Sequence, residues 1–159
     1  MKRFVLTLAT GFGVGCIPRA PGTFGTLLSI PIYLILSLIP FPVYEITLVA
    51  FFFLSVWVSD GAQNYFGKKD DRRIVIDEVM GFLVTMLWNP KTVLSVIAGF
   101  VLFRFFDILK PFPIRQLERR YKGGFGVVID DTMAGVCSNI VLHIILFLVT
   151  GKSGVWPWS

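Results

Sequence analysis

An all-α bundle of about five helices embedded in a lipid bilayer is the fold class this sequence predicts, and three observations carry it. Hydrophobic residues make up 55% of the 159 and charged residues 16%, with a mean hydropathy of +0.75, beyond what an ordinary soluble domain of this size carries. The apolar residues fall in continuous runs, without the alternation of a barrel strand. The basic residues gather in every second connection between those runs. In lipid every backbone donor and acceptor must be satisfied within the chain, so continuous apolar runs imply helices. The length suits a single domain, residues 1–159, and no internal repeat or low-complexity tract is evident.

The elements follow in order. Met1-Lys2-Arg3 and the apolar residues up to Ala9 have the outline of a signal peptide, and Gly15-Cys16 that of a lipoprotein cleavage site. Gly11, Gly13 and Gly15 break the apolar core, which argues against cleavage. The first long run, Phe24 to Ile39, is closed by Pro40 and Pro42; the second, Ile46 to Val58, stops at Ser59-Asp60-Gly61 and needs flanking residues to complete a span of roughly 20. The third, Val79 to Trp88, crosses only if it extends back through Ile74-Val75-Ile76, which brings Asp77 and Glu78 to its end; otherwise it is re-entrant. Asn89-Pro90 ends it. Thr92 to Phe106 forms the fourth run and Thr132 to Val149 the fifth, with Asp130 or Asp131 placed as its N-cap. Five crossings are expected, or four if the third run is re-entrant.

With the N-terminus inside, the inside segments hold twelve Lys and Arg, against Lys91 and Lys152 outside, a strong orientation under the positive-inside rule. The net charge of +5 therefore points to basic loops beside anionic headgroups rather than to nucleic acid. Cys16 and Cys137 stand far apart with no metal-ligand spacing, so two free thiols are expected.

Acidic residues are few, and five of them sit at run ends on one expected membrane face: Asp77, Glu78, Asp107, Asp130 and Asp131. Carboxylates at that depth are costly and mark a functional site by default. Helix capping is the plainer reading; it suits Asp131, suits Asp130 less, and fits Asp107 poorly, since a carboxylate there meets the negative end of a helix dipole. Oxygen donors without neighbouring His or Cys suit Mg²⁺. Arg104, Asp107 and Lys110 are spaced i, i+3, i+6 along one helical face. They form either a simple ion pair or a cationic pair flanking a carboxylate, which would hold a phosphate beside a metal.

The segment 11–26 contains five glycines, Arg19, Thr23 and Thr26 ahead of a helix. Glycines and a helix N-terminus favour an anion, and a tight turn into the membrane explains the same residues. Gly123-Gly124-Phe125-Gly126 reads as a flexible approach to the last helix. His143, amid Ile and Leu, is expected to be a buried, hydrogen-bonded structural residue.

Four blocks now carry a family resemblance: Gly-Cys-Ile-Pro-Arg-Ala-Pro-Gly-Thr-Phe-Gly-Thr at 15–26, Ile-Val-Ile-Asp-Glu-Val-Met-Gly at 74–81, Phe-Arg-Phe-Phe-Asp-Ile-Leu-Lys-Pro-Phe-Pro-Ile at 103–114, and Gly-Gly-Phe-Gly-Val-Val-Ile-Asp-Asp-Thr-Met-Ala-Gly at 123–135. In this order, over nearly the whole chain, the sequence resembles phosphatidylglycerophosphatase A. The resemblance implies Mg²⁺-dependent removal of the terminal phosphate of phosphatidylglycerophosphate, in the bilayer, at the cytoplasmic face of a bacterial inner membrane. It matches the acidic positions 77–78, 107 and 130–131.

The reading that joins residues and resemblance gives Asp77, Glu78, Asp130 and Asp131 as metal ligands, with Asp107 as a further ligand or the base that orients water. Arg104 and Lys110, with Arg19, Thr23 and Thr26, are the expected phosphate-binding residues, and Asp107, Asp131, Lys110 and Arg104 the catalytic ones. No Asp-x-Asp-x-Thr/Val, no Cys-x5-Arg and no suitably placed His is present for a covalent route, which leaves direct attack by water. An ion-coupled transporter is the first rival, disfavoured because no acid sits in the middle of an apolar run. A different phospholipid-headgroup enzyme is the second; Asp60-Gly61-Ala62 opens a CDP-alcohol phosphotransferase pattern that Gln63-Asn64 does not continue.

Overall fold

The computed structural model describes residues 2–68 and 71–150, apart from the side chains of Glu118, Arg119 and Thr150; of the charges placed above, Lys69, Arg119 and Lys152 lie outside the described residues. The helices are α1 (Lys2–Ala9), α2 (Pro21–Leu36), α3 (Phe41–Phe66), α4 (Ile76–Thr85), α5 (Val93–Leu109), α6 (Ile114–Arg120) and α7 (Gly123–Thr150), with a 3₁₀ turn at Val14–Cys16. No strand occurs among the described residues.

Local chemistry sets most of these bounds. Pro21 opens α2 at a position where no N–H is needed. Gly67, at φ +65°, closes α3 in the left-handed conformation. Thr92 caps α5, its hydroxyl oxygen accepting from Ser95 N at 3.2 Å. Lys110 ends α5 in the left-handed region, and Pro111 follows.

The last helix corrects the sequence expectation. It starts at Gly123 rather than Thr132, so Asp130 and Asp131 lie within α7 and cap nothing. Glycine disfavours helix, yet here it permits contact: a Cβ on Gly124 would collide with the Val56 carbonyl of α3. In the same place Asp60 Oδ1 accepts from Gly124 N at 3.1 Å, so α3 caps the start of α7 from outside. Two helices were absent from the expected set, α1 and the short α6. Val5 and Ala9 of α1 pack with Val58 and Ala62 of α3 in a small core.

Of the described helices, α3 and α7 are long and apolar enough to cross a membrane; α2 is apolar but shorter. Their outer surfaces are apolar too. Ile46, Val49, Phe53 and Trp57 on α3, and Leu94, Ile97, Val101, Phe105 and Ile108 on α5, form exposed stripes at helical spacing, a surface that suits lipid better than water. The ten-residue α4 is enclosed instead: Ile76, Asp77, Val79, Met80, Gly81, Phe82, Leu83 and Thr85 are all buried, among α2, α3, α5 and α7. Phe82, Leu83, Phe103 and Leu142 form the centre of the main core.

Candidate active site

α4 and α7 run parallel in a fixed register, and that register builds the site. A Cβ on Gly135 would collide with the carbonyl of Gly81, and one on Gly81 would strike the Phe103 ring and stand 2.6 Å from the Asp131 carbonyl. Two glycines thus let the helix backbones touch, as small residues do where helices pack in membranes. One turn further on, Thr85 Oγ1 donates to Gly81 O at 3.0 Å and reaches Gly135 O at 3.5 Å. Asn139 Nδ2 donates to Thr85 O at 2.9 Å. One turn before each glycine, on the same helical face, stand Asp77 and Asp131. Residues 77, 81 and 85 therefore face 131, 135 and 139.

Asp77, Glu78 and Asp131 each place a carboxylate oxygen within 4.8 Å of the other two, close enough to share one cation. Asp77 and Asp131 are 6% and 5% exposed. Glu78 Oε2 is buried without a hydrogen-bond partner among the described residues. Asp107 and Asp130 also lie within electrostatic reach of Asp131, so all five acids singled out in the sequence converge. Two are paired with the expected cations. Arg104 Nη1 donates to Asp107 Oδ2 at 2.5 Å, and Lys110 Nζ donates to Asp130 Oδ2 at 2.5 Å. Five carboxylates against two cations leave a formal excess of three negative charges, which a low-dielectric site tolerates only with bound cations or protons. Oxygen-only donors, with an orphaned carboxylate oxygen among them, fit a hard divalent metal ion.

The glycine-rich segment serves two ends. Gly11, Gly15 and Gly25 wrap residues 73–75: a Cβ on Gly25 would lie 2.7 Å from Val75 Cβ, and one on Gly15 would collide with the Arg73 carbonyl. Val75 N also donates to Ala9 O at 2.8 Å, which pins the start of α4 to the end of α1. Gly22 faces the site itself. A Cβ there would collide with Glu78 Oε1 and stand 3.2 Å from Arg104 Nη1, so the N-terminal turn of α2, positive in its dipole, lies against Glu78 and Arg104. Thr26 is fully buried and donates to Gly22 O at 2.9 Å, Thr23 is half-buried, and Arg19 is exposed on the loop before α2. His143 is half-buried and hydrogen-bonded to Asn139 O at 2.9 Å, a structural role. Cys16 and Cys137 are free thiols.

Sequence reasoning missed Asp60, Gly22, Gly81 and Gly135. A signal for the last two was there to be read: Asp77 and Asp131 each precede a glycine by four residues.

A buried acidic cluster that could bind a metal, beside two cations and a helix N-terminus, is an arrangement suited to chemistry on a phosphate ester. The phosphatidylglycerophosphatase A family model matches residues 7–146, and the chain belongs to that family of phosphatases. It is 37% identical to phosphatidylglycerophosphatase A of Escherichia coli strain K12 over 87% of this chain and 81% of that protein. The corresponding Haemophilus influenzae protein is also 37% identical, over 88% and 87%. A Bacteroides thetaiotaomicron protein provisionally described as a phosphatidylinositol-3-phosphatase is 39% identical over 89% and 93%. No solved structure matches the chain.

Proposed function

We propose that this protein hydrolyses the terminal phosphomonoester of phosphatidylglycerophosphate, with Mg²⁺, to give phosphatidylglycerol and inorganic phosphate. The observation that carries the reading is the Asp77, Glu78 and Asp131 group held beside Arg104 and Lys110 in a chain of this family. Asp77, Glu78 and Asp131 would hold the metal, with Asp130 beside them. Bound Mg²⁺ supplies positive charge that polarises the phosphoryl oxygens and acidifies the attacking water. Arg104 and Lys110 bind the oxygens that stay on phosphorus and stabilise the charge that grows there. The first turn of α2, with Thr23 and the nearby Arg19, adds dipole and cation to the same end. Asp107, fixed by Arg104, orients water for attack as a base. Water forms a bond to phosphorus, the bond to the glycerol oxygen breaks, and that oxygen leaves as the alcohol with a proton.

The reading places the protein in a bacterial inner membrane, with α2, α3, α5 and α7 as crossing helices around the short, enclosed α4, and with the site at the cytoplasmic face. Arg19, Arg72, Arg73, Arg115 and Lys122 lie in segments at the site end of the bundle, which supports that orientation. The acyl chains stay in the bilayer, and only the headgroup needs to reach the acids.

The test is phosphate release by the detergent-purified protein from phosphatidylglycerophosphate, phosphatidic acid and phosphatidylinositol 3-phosphate, with Mg²⁺ and then excess EDTA. Mg²⁺-dependent release fastest from the first lipid is the expected result. Preference for the inositol lipid would shift the substrate toward that described for the Bacteroides relative, and release insensitive to EDTA would sink the metal.

A further inference from the structure

Lys110 belongs to two places at once. Its Nζ donates to Asp130, and the residue also lines an open groove of about 370 Å³ with Leu109, Pro111, Phe112, Arg115 and Gln116. The volume is that of a small-ligand site. Part of the lining is cationic and polar: Lys110, Arg115 and Gln116. Part is apolar: Leu109 is 52% and Phe112 78% exposed, large apolar surfaces of the kind that enter a lipid interface. An anion bearing an apolar tail matches this mixed lining, and a guanidinium presents a fork of donors suited to phosphate.

We propose that this groove holds the phosphodiester of the substrate lipid, the phosphate that is not transferred, with Arg115 as the specificity-determining residue; the inference rests on the function proposed above. The two phosphates of phosphatidylglycerophosphate are joined by one three-carbon glycerol. Groove and acid group are joined by one lysine stem, of four carbons. A headgroup laid along that stem brings its monoester to Asp130 and Asp131 while its diester meets Arg115, and Leu109 and Phe112 then border the acyl region. A neighbouring anionic lipid offers the same chemistry from another source, and the kinetics separate the two.

The experiment uses the full chain in phosphatidylcholine vesicles, as wild type, Arg115→Gln and Arg115→Lys. Phosphatidylglycerophosphate carries both phosphates; phosphatidic acid carries the monoester alone. Arg115→Gln is expected to raise KM for the first about tenfold, leave kcat unchanged and leave both constants for phosphatidic acid as they were, with Arg115→Lys between. An equal loss on both lipids assigns the groove to a bystander lipid and overturns the inference, as does no change on either. If the wild type releases no phosphate from phosphatidylglycerophosphate, the proposed function fails, and the groove is then read by binding. Phosphatidylglycerol keeps the diester, and its retention in native mass spectrometry is expected to fall in Arg115→Gln; equal retention overturns the groove assignment.

Discussion

At its start α4 brings Asp77 and Glu78 into a group of five carboxylates, while about 15 Å away its other end is held by ordinary structural polar contacts. There Tyr44 OH donates to Leu83 O at 2.9 Å, Asn89 Nδ2 to Thr85 O at 2.9 Å and Trp88 Nε1 to Glu45 Oε1 at 2.9 Å. Lys91 donates to the Ser37 carbonyl. Both ends are rich in polar groups, so polarity alone does not mark a site. The difference lies in sign and pairing. At one end donors mostly meet acceptors, with the uncharged Asn89 Oδ1 left over; at the other like charges face one another and a buried carboxylate oxygen, Glu78 Oε2, is left with no protein hydrogen bond among the described residues. Such an arrangement persists only where something else, a metal ion or a proton, completes it.

Four substitutions break or sharpen that contrast. Asp131→Asn removes a charge from the centre of the acid group and is expected to lower kcat on the order of 1000-fold, about 4 kcal/mol. Phosphate release with circular dichroism to show retained helix checks it. Gly135→Ala sets a methyl against the Gly81 carbonyl, where backbone must move. Stability should fall by about 1–3 kcal/mol and activity by about 100-fold, since a displacement near 1 Å has that effect on aligned groups; thermal unfolding in detergent and kinetics together report both. Gly22→Ala meets only the side-chain ends of Glu78 and Arg104 and no backbone, so it should leave the melting temperature almost unchanged and still cost about tenfold in kcat/KM. Loss of stability without loss of activity would reverse the reading of that turn. At the opposite end, Trp88→Phe removes one hydrogen bond at a 40% exposed residue. It should lower stability by about 0.5–1.5 kcal/mol with no change in phosphate release.

Much of this was legible in the residues. The continuous apolar runs gave helices near the positions of α2, α3, α5 and α7, because uniform hydrophobicity in lipid leaves few alternatives to a helix. Boundaries shifted where tertiary contacts overrode local propensity. The run Gly123-Gly124-Phe125-Gly126 reads as loop chemistry, yet Gly124 is helical because α3 supplies Asp60 as its cap. Asp77, Glu78, Asp107, Asp130 and Asp131 were recognisable as a group from their scarcity and their shared face. How they divide was not: that Asp130 turns to Lys110 while Asp131 turns to Asp77 and Glu78 depends on the rotation of α7 about its axis, which the Gly81–Gly135 contact fixes. Gly22 was hidden among glycines that mostly serve backbone packing, since one-dimensional spacing does not distinguish a glycine facing Val75 from one facing Glu78.

The short, enclosed α4 has a consequence for how the protein is made. Its polar and close-packed face is completed by Gly135 and Asn139 of the last helix, which leaves the ribosome after every other partner of α4. Until α7 is in place, Asp77 and Glu78 have no Asp131 to meet and the chain has no assembled site. A chain cut before α7 therefore lacks the third carboxylate of the group that Asp77 and Glu78 begin.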